Sequence, residues 1–239
     1  MRVYIVRRED IEIRERESMY ALFSEYYENA CRSHFESDLD KKDMVIILRN
    51  DDMRIVGFST IEVYMHKGSR ITAAVVFSGD TIIDRRYRIG SYLPGAFASV
   101  LIETMNRYNP LPVFWLLASK GVGTYRCLPI FFREFLPSYK GTVKIERKQL
   151  ADGIAFEKFG SAYSPETQVV YHNKTRDRLR PGRSDLLLAA RDDPHIRYFI
   201  SKNPGYADGD ELVCLAEVSE TNMNRKAYWA AKRAAVEWL

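Results

Sequence analysis

The sequence predicts a mixed α/β (α+β) domain, a mostly antiparallel central sheet flanked by helices, followed by a mainly helical C-terminal extension. Three observations predict it. β-Rich segments succeed one another at 44–48, 54–64 and 71–83, separated by turn chemistry at Asn50-Asp51-Asp52 and Lys67-Gly68-Ser69. Helical spacing of apolar residues precedes them, at Met19, Leu22, Phe23, Tyr26, Tyr27 and Ala30, and returns within 91–107. A short apolar run at 113–118 then brings the chain back to a strand.

Each element has its own reason. Residues 3–6 are β-branched and open the chain as a strand. The run 44–48 is too short for a helix and too apolar for an edge, so it is a central strand with 54–64 as its antiparallel partner. In the third strand Ser78-Gly79-Asp80 interrupts the pattern before Thr81-Ile82-Ile83 resumes it, which predicts a bulge. A basic loop comes next, Arg85-Arg86-Tyr87-Arg88-Ile89-Gly90-Ser91. Pro94 fits only a first helical turn, where its missing N–H would have had no partner, so the next helix starts near 91–93; Asn109-Pro110-Leu111-Pro112 stops it. After the 113–118 strand, Ser119-Lys120-Gly121-Val122-Gly123 is a turn, 125–135 is helical from Pro129, and 142–146 forms a sixth strand. Beyond residue 160 the pattern predicts a basic loop at 174–183, helices at 184–191 and 194–201, a strand at 211–218 and a closing helix within 221–239. The organisation expected is a core at 1–160 and an extension, packed on it, at 161–239.

Composition narrows the functional classes. With 239 residues, 46% hydrophobic and 28% charged, the chain is a folded domain and not a disordered one. A net charge of +4 is too small for a protein that coats DNA and is compatible with phosphate-bearing ligands. No apolar run approaches the roughly 18–20 residues that cross a bilayer, and the N-terminus is charged too early for a secretory signal, so a soluble, cytoplasmic protein is expected. Cys31, Cys127 and Cys214 have neither metal nor redox spacing and are expected to be reduced. His34, His66, His172 and His195 are scattered, so no metal is expected. Gly-x-Ser-x-Gly, Walker and Rossmann patterns are absent, which disfavours hydrolase, NTPase and dehydrogenase chemistry.

An Arg-rich loop that opens a helix offers main-chain N–H groups, a positive helix end and guanidinium donors to one anion, a set suited to a diphosphate. Here the stretch Ile83-Asp84-Arg85-Arg86-Tyr87-Arg88-Ile89-Gly90-Ser91-Tyr92-Leu93 resembles the GNAT acyltransferase superfamily, where a strand ending near Val-x-Pro-x-Tyr-Arg precedes Gly-x-Gly-x-Gly/Ala at a helix start. In one register Arg88 takes the family's Arg/Gln position, with Ser91 and Leu93 where small residues stand. A second register puts Arg85 first, with Arg88 and Gly90 at glycine positions. The likeness covers roughly residues 1–145 and lies in layout more than in the motif.

The resemblance implies acyl-CoA, carrying acetyl or a longer acyl group, as co-substrate, with Arg85, Arg88, Ile89, Gly90, Ser91 and Tyr92 as its binding residues. It also implies two strands that splay apart to admit the acyl-pantetheine arm, with Ser78-Gly79-Asp80 where the splay begins. Glu62 and Asp80 are the acid/base candidates, because carboxylates beside an apolar cleft have raised pKa values. On the same likeness Tyr125 is the candidate proton donor to the thiolate, with Tyr139 in reserve, although Phe131 or Phe132 stands nearer the family's tyrosine. Phe35 and Leu39 are candidates to line the acceptor pocket. Each has a plainer alternative: Glu62 facing outward from a strand, Asp80 capping a turn, and the aromatic residues packing in the core. The implied activity is metal-independent N-acyl transfer by direct attack of a small-molecule amine or amino acid. The rival readings are an acyl-carrier-protein donor on the same fold, and a non-catalytic acyl-CoA-binding regulatory module. The extension could cover the acceptor end or form a homodimer interface. Its basic loop lacks the interleaved aromatics that nucleic-acid binding favours.

Overall fold

The computed structural model describes residues 1–69, 71–87, 92–140, 144–172, 177–180 and 192–239. The β-branched opening forms β1 (Arg2–Arg7), and the helically spaced residues form α1 (Ile13–Tyr26), whose start is closed by a capping box between Glu12 and Glu15. A two-residue strand β2 (Tyr27–Glu28) leads to α2 (Arg32–Leu39). Then come the three consecutive strands the sequence predicts, β3 (Met44–Arg49), β4 (Ile55–Lys67) and β5 (Thr72–Ile83), followed by α3 (Leu93–Tyr108) and β6 (Val113–Ser119).

Two short helices, α4 (Val122–Tyr125) and α5 (Cys127–Phe131), stand where the sequence suggests one helix from Pro129. The sixth strand at 142–146 is overturned in its described part. Ile145 and Glu146 open the helix α6 (Ile145–Phe159), while 142 and 143 lie outside the described residues. That helix buries mainly Ala151, Ile154 and Ala155, a stripe too small-sided to stand out as hydrophobic periodicity. The remainder comprises β7 (Tyr163–Ser164), β8 (Val169–Val170), β9 (Arg178–Leu179), α7 (Pro194–Lys202), β10 (Glu211–Val218), α8 (Arg225–Ala234) and β11 (Glu237–Trp238). The helix expected at 184–191 falls outside the described residues.

Among the described residues nine strands form one sheet in the order β11-β1-β3-β4-β5-β6-β10-β8-β7. Every neighbouring pair is antiparallel except β1–β11 and β5–β6, so the mixed, mostly antiparallel sheet flanked by helices is borne out. Strands from beyond residue 160 join the same sheet: β10 pairs with β6 from Leu212↔Ser119 to Val218↔Val113, and β11 adds to β1.

Alternation along the strands divides the core by face. Ile46, Val76, Trp115, Leu117 and Cys214 face α3 and α8 in one continuous cluster. The opposite face holds two clusters. Val45, Ile47 and Phe58 pack under α1 and α2, whereas Val75, Phe77, Leu116 and Val213 pack under α6. On the continuous side α3 and α8 approach so closely that a Cβ at Gly95 would lie 2.3 Å from the Ala230 carbonyl oxygen. On the other side a gap remains between the two helical blocks.

Candidate functional site

The gap exists because the central strands part. β5 and β6 pair in parallel from Ala74↔Val113 to Ser78↔Leu117, and there the register ends, while β5 continues to Ile83 alongside β4 alone. At the parting point Gly79 and Asp80 together face the single residue Thr60 between the pairs Ile61↔Ser78 and Ser59↔Thr81, a β-bulge with its extra residue on β5. The bulge flips the strand's parity, so Phe77 and Ile82 both point to the divided face, and Asp80 shares that face with Ile82. Glycine is required at 79 by space: a Cβ there would sit 2.4 Å from the buried Thr60 Oγ1, which has no hydrogen-bond partner.

A cavity of about 1370 Å³ opens from this wedge. It spans both faces of the sheet, touching Leu93, Phe97 and Val122 on the α3 side and Phe35, Phe77 and Val170 on the other. Within it Lys120, just past the end of β6, donates to Asp177 Oδ2 at 2.5 Å and lies 3.8 Å from Glu211 Oε1; His172 Nε2 is 2.7 Å from Glu211 Oε2. Burial works against the charge on Lys120, but Glu211, Asp177, Tyr27 and Asp80 outweigh it and hold the ammonium above its ordinary pKa. The Tyr27 phenol, also on the cavity wall, is held above its usual range chiefly by burial, with the Lys120 charge opposing.

Asp80 differs from its neighbours. Among the described residues none hydrogen-bonds or ion-pairs with its carboxyl group, which lies half-buried in the cavity wall. Crowding by protein pushes its pKa up to about 7; Lys120 and Lys42 draw it back, and Asp38 and Asp177 add to the rise.

The structure does not gather the other expected residues here. Glu62, on β4, is gripped by Lys158 Nζ at 2.5 Å and Lys42 Nζ at 3.7 Å and is not part of the cavity lining. Tyr125 is fully buried, its hydroxyl donating to the Pro137 carbonyl at 3.1 Å, and burial raises its pKa. Tyr139 lies against His195, with ring centroids 4.7 Å apart. Phe35 lines the cavity, and Leu39 is core.

Of the basic loop, Arg88, Ile89, Gly90 and Ser91 lie outside the described residues. The main-chain N–H groups before them are already engaged: Arg85 donates to the Tyr26 hydroxyl at 2.6 Å, Arg86 to Asp84 Oδ1 at 3.0 Å and Tyr87 to the Asp84 carbonyl at 2.8 Å. Arg86 also pairs its guanidinium with Asp84, whereas Arg85 is exposed. Tyr92 caps the start of α3, its carbonyl accepting from Ala96 N–H at 3.0 Å. Tyr27, Lys120, His172, Asp177 and Glu211 are the cavity residues that sequence reasoning does not single out.

No family model matches the sequence, and no curated protein matches it. Solved structures do resemble the fold. A GNAT family N-acetyltransferase (YhbS) from Escherichia coli in complex with CoA is 14% identical, covering 53% of this chain and 68% of that one at a TM-score of 0.39. An acetyltransferase of Trypanosoma brucei is 17% identical over 60% of this chain and 98% of its own, TM-score 0.39. Glucosamine-6-phosphate N-acetyltransferase from Arabidopsis thaliana is 11% identical over 61% and 97%, TM-score 0.38. At these identities and TM-scores the likeness is one of fold. Among the described residues no helix is long and apolar enough to cross a membrane, and no group of three or more His, Cys, Asp or Glu could hold a metal ion.

Proposed function

We propose that the chain is an acyl-CoA-dependent N-acyltransferase in which an amine attacks a thioester carbonyl placed in the wedge between β5 and β6. One observation carries the reading: at the apex of the wedge a bulged strand presents a carboxylate that no described residue pairs with, its pKa pushed up to about 7, to a cavity lined from both faces of the sheet. A base with a pKa near the working pH is the kind that best removes a proton from an attacking ammonium. Among the described residues the β5–β6 ladder ends at Ser78, which opens the edge of β5 there to an amide arm or a carbonyl of the acyl donor.

In the reaction an N–C bond forms, the C–S bond breaks, the amine proton passes to Asp80 and the departing sulfur takes up a proton. Tyr27 is the buried phenol we assign to that last step; its raised pKa keeps it protonated at neutral pH. Lys120, fixed by Asp177 and Glu211, supplies positive charge beside both. Toward a diphosphate the described residues offer the exposed Arg85 guanidinium and the N-terminus of α3, where Leu93 and Pro94 reach the cavity.

A second reading keeps the transfer and takes the acyl group from an acyl carrier protein. It is favoured by the engagement of the 85–87 main-chain donors and by α8, which packs on α3 and exposes Arg225, Lys226, Lys232 and Arg233. Titration calorimetry with acetyl-CoA and longer acyl-CoAs, paired with thiol release over a broad amine panel, tests both. Micromolar acyl-CoA binding and thiol release that collapses in Asp80→Asn are expected. Absence of binding by every acyl-CoA removes the leading reading. Binding without release from any amine turns it into a regulatory module.

A further inference from the structure

The charges on the divided face say what kind of acceptor the wedge receives. Lys158 is held by Glu62, Lys120 by Asp177 and Glu211, His172 by Glu211, and Asp38 by Lys42 at 3.0 Å. Once these pairs are formed, the deep part of the cavity retains, among the described residues, the Asp80 carboxyl group without a partner and no cation without one. Lys41, His34 and Arg126 are exposed, Arg126 lying 3.8 Å from Asp193. A ligand carboxylate or phosphate carried inward would therefore lose its hydration without gaining a counter-charge from the described residues. An ammonium would meet one.

Aromatic rings form the walls around that carboxyl group. Phe23 and Tyr27 stack with centroids 4.5 Å apart and planes 9° from parallel, and Phe35 tilts against Phe23 at 5.3 Å. Across the gap Phe77 and Phe159 meet edge to face at 5.8 Å. These rings already accept ammonium groups: Lys158 Nζ lies 4.5 Å and Lys42 Nζ 5.0 Å from the Phe77 centroid, and Lys120 Nζ 5.4 Å from that of Tyr27.

We propose that the acceptor is a primary amine carried on a flat apolar body with no acidic group of its own, an arylalkylamine in chemical terms. The ammonium meets Asp80, and the body lies between the Tyr27 and Phe159 walls. The assignment rests on the transferase reading for what happens to the amine, but not for its binding.

The test compares 2-phenylethylamine, L-phenylalanine, which adds a carboxylate, and n-butylamine, which lacks the ring, on the full chain. Calorimetric binding is measured without an acyl donor, and thiol release is measured with acetyl-CoA. 2-Phenylethylamine is expected to bind, and to exceed both relatives in affinity and in kcat/KM by about tenfold or more. Phe159→Ala is expected to weaken that binding about fivefold while leaving acetyl-CoA affinity unchanged. If L-phenylalanine or n-butylamine equals or outruns 2-phenylethylamine, the acceptor assignment falls and acyl transfer stands. If 2-phenylethylamine binds selectively yet releases no thiol, the assignment stands and the transferase reading falls. If it neither binds nor reacts, the assignment falls.

Discussion

Glu62 on β4 and Asp80 on β5 are carboxylates on neighbouring strands, pointing to the same face of the sheet, and their surroundings give them opposite characters. Glu62 is clamped between Lys42, whose side chain is 1% exposed, and Lys158, so its charge belongs to a permanent network. Asp80 sits one bulge further on, where the sheet opens, and among the described residues no lysine pairs with it. Composition and strand parity could nominate both. What separates them is the two-against-one register at Thr60, which ends the pairing with a structural role and begins the wedge. In the proposed transfer Asp80 acts because no described residue claims its carboxyl group.

The strongest way to break the contrast is to neutralise each carboxylate in turn. Asp80→Asn is expected to lower kcat by about 10²- to 10⁴-fold in thiol-release assays with melting temperature preserved or raised. An unchanged kcat would end the role given to Asp80. The pH dependence sharpens the same point. In the folded chain the Asp80 pKa is raised to about 7 from an ordinary value of 3.8, so the folded state holds this proton more tightly than the unfolded chain does. Its contribution to stability is therefore fully present below the unfolded pKa and is lost as pH rises through the folded value. Unfolding titrations of wild type minus Asp80→Asn should show that loss between about pH 4 and 7. Over the same region kcat/KM should rise with pH in the wild type and lose that limb in the variant.

Next in size is a packing test on the undivided face. Gly95→Ala pushes a methyl group into the Ala230 backbone and is expected to destabilise the fold by about 1–3 kcal/mol in denaturant melts. Glu62→Gln should be the mildest for chemistry, changing kcat less than about threefold, while costing about 1–2 kcal/mol of stability as Lys158 loses a charged hydrogen-bond partner. A large kcat loss there with normal melting would dissolve the distinction between the two carboxylates.

The local parts of this arrangement are legible in the sequence. A short apolar run marks β10 over the residues 211–218 it occupies, and Ser78-Gly79-Asp80 announces the bulge because a small residue followed by a polar one breaks a β-branched run. The helix α2 escapes such reading because only Phe35 and Leu39 are buried along it, and α6 because two of its three buried residues are alanines. The lysine cluster is hidden for another reason. Lys120 reads as turn punctuation; its partner Glu211 reaches it only after β10 has been laid beside β6, and Asp177 stands next to β9, which pairs with β2. Tyr27 follows the helical apolar spacing of α1, which conceals the fact that its ring ends on a cavity wall. Tyr125 is the mirror case: its sequence position suggests chemistry, and its fully buried hydroxyl serves the Pro137 carbonyl.

A slot lined from both faces of a sheet would have two mouths. With α3 at one and the aromatic walls at the other, the two reactants of the proposed transfer could load in either sequence and the two products depart by separate doors. Neither traveller would block the other, and initial-velocity plots should intersect in the manner of a ternary complex, with no parallel lines.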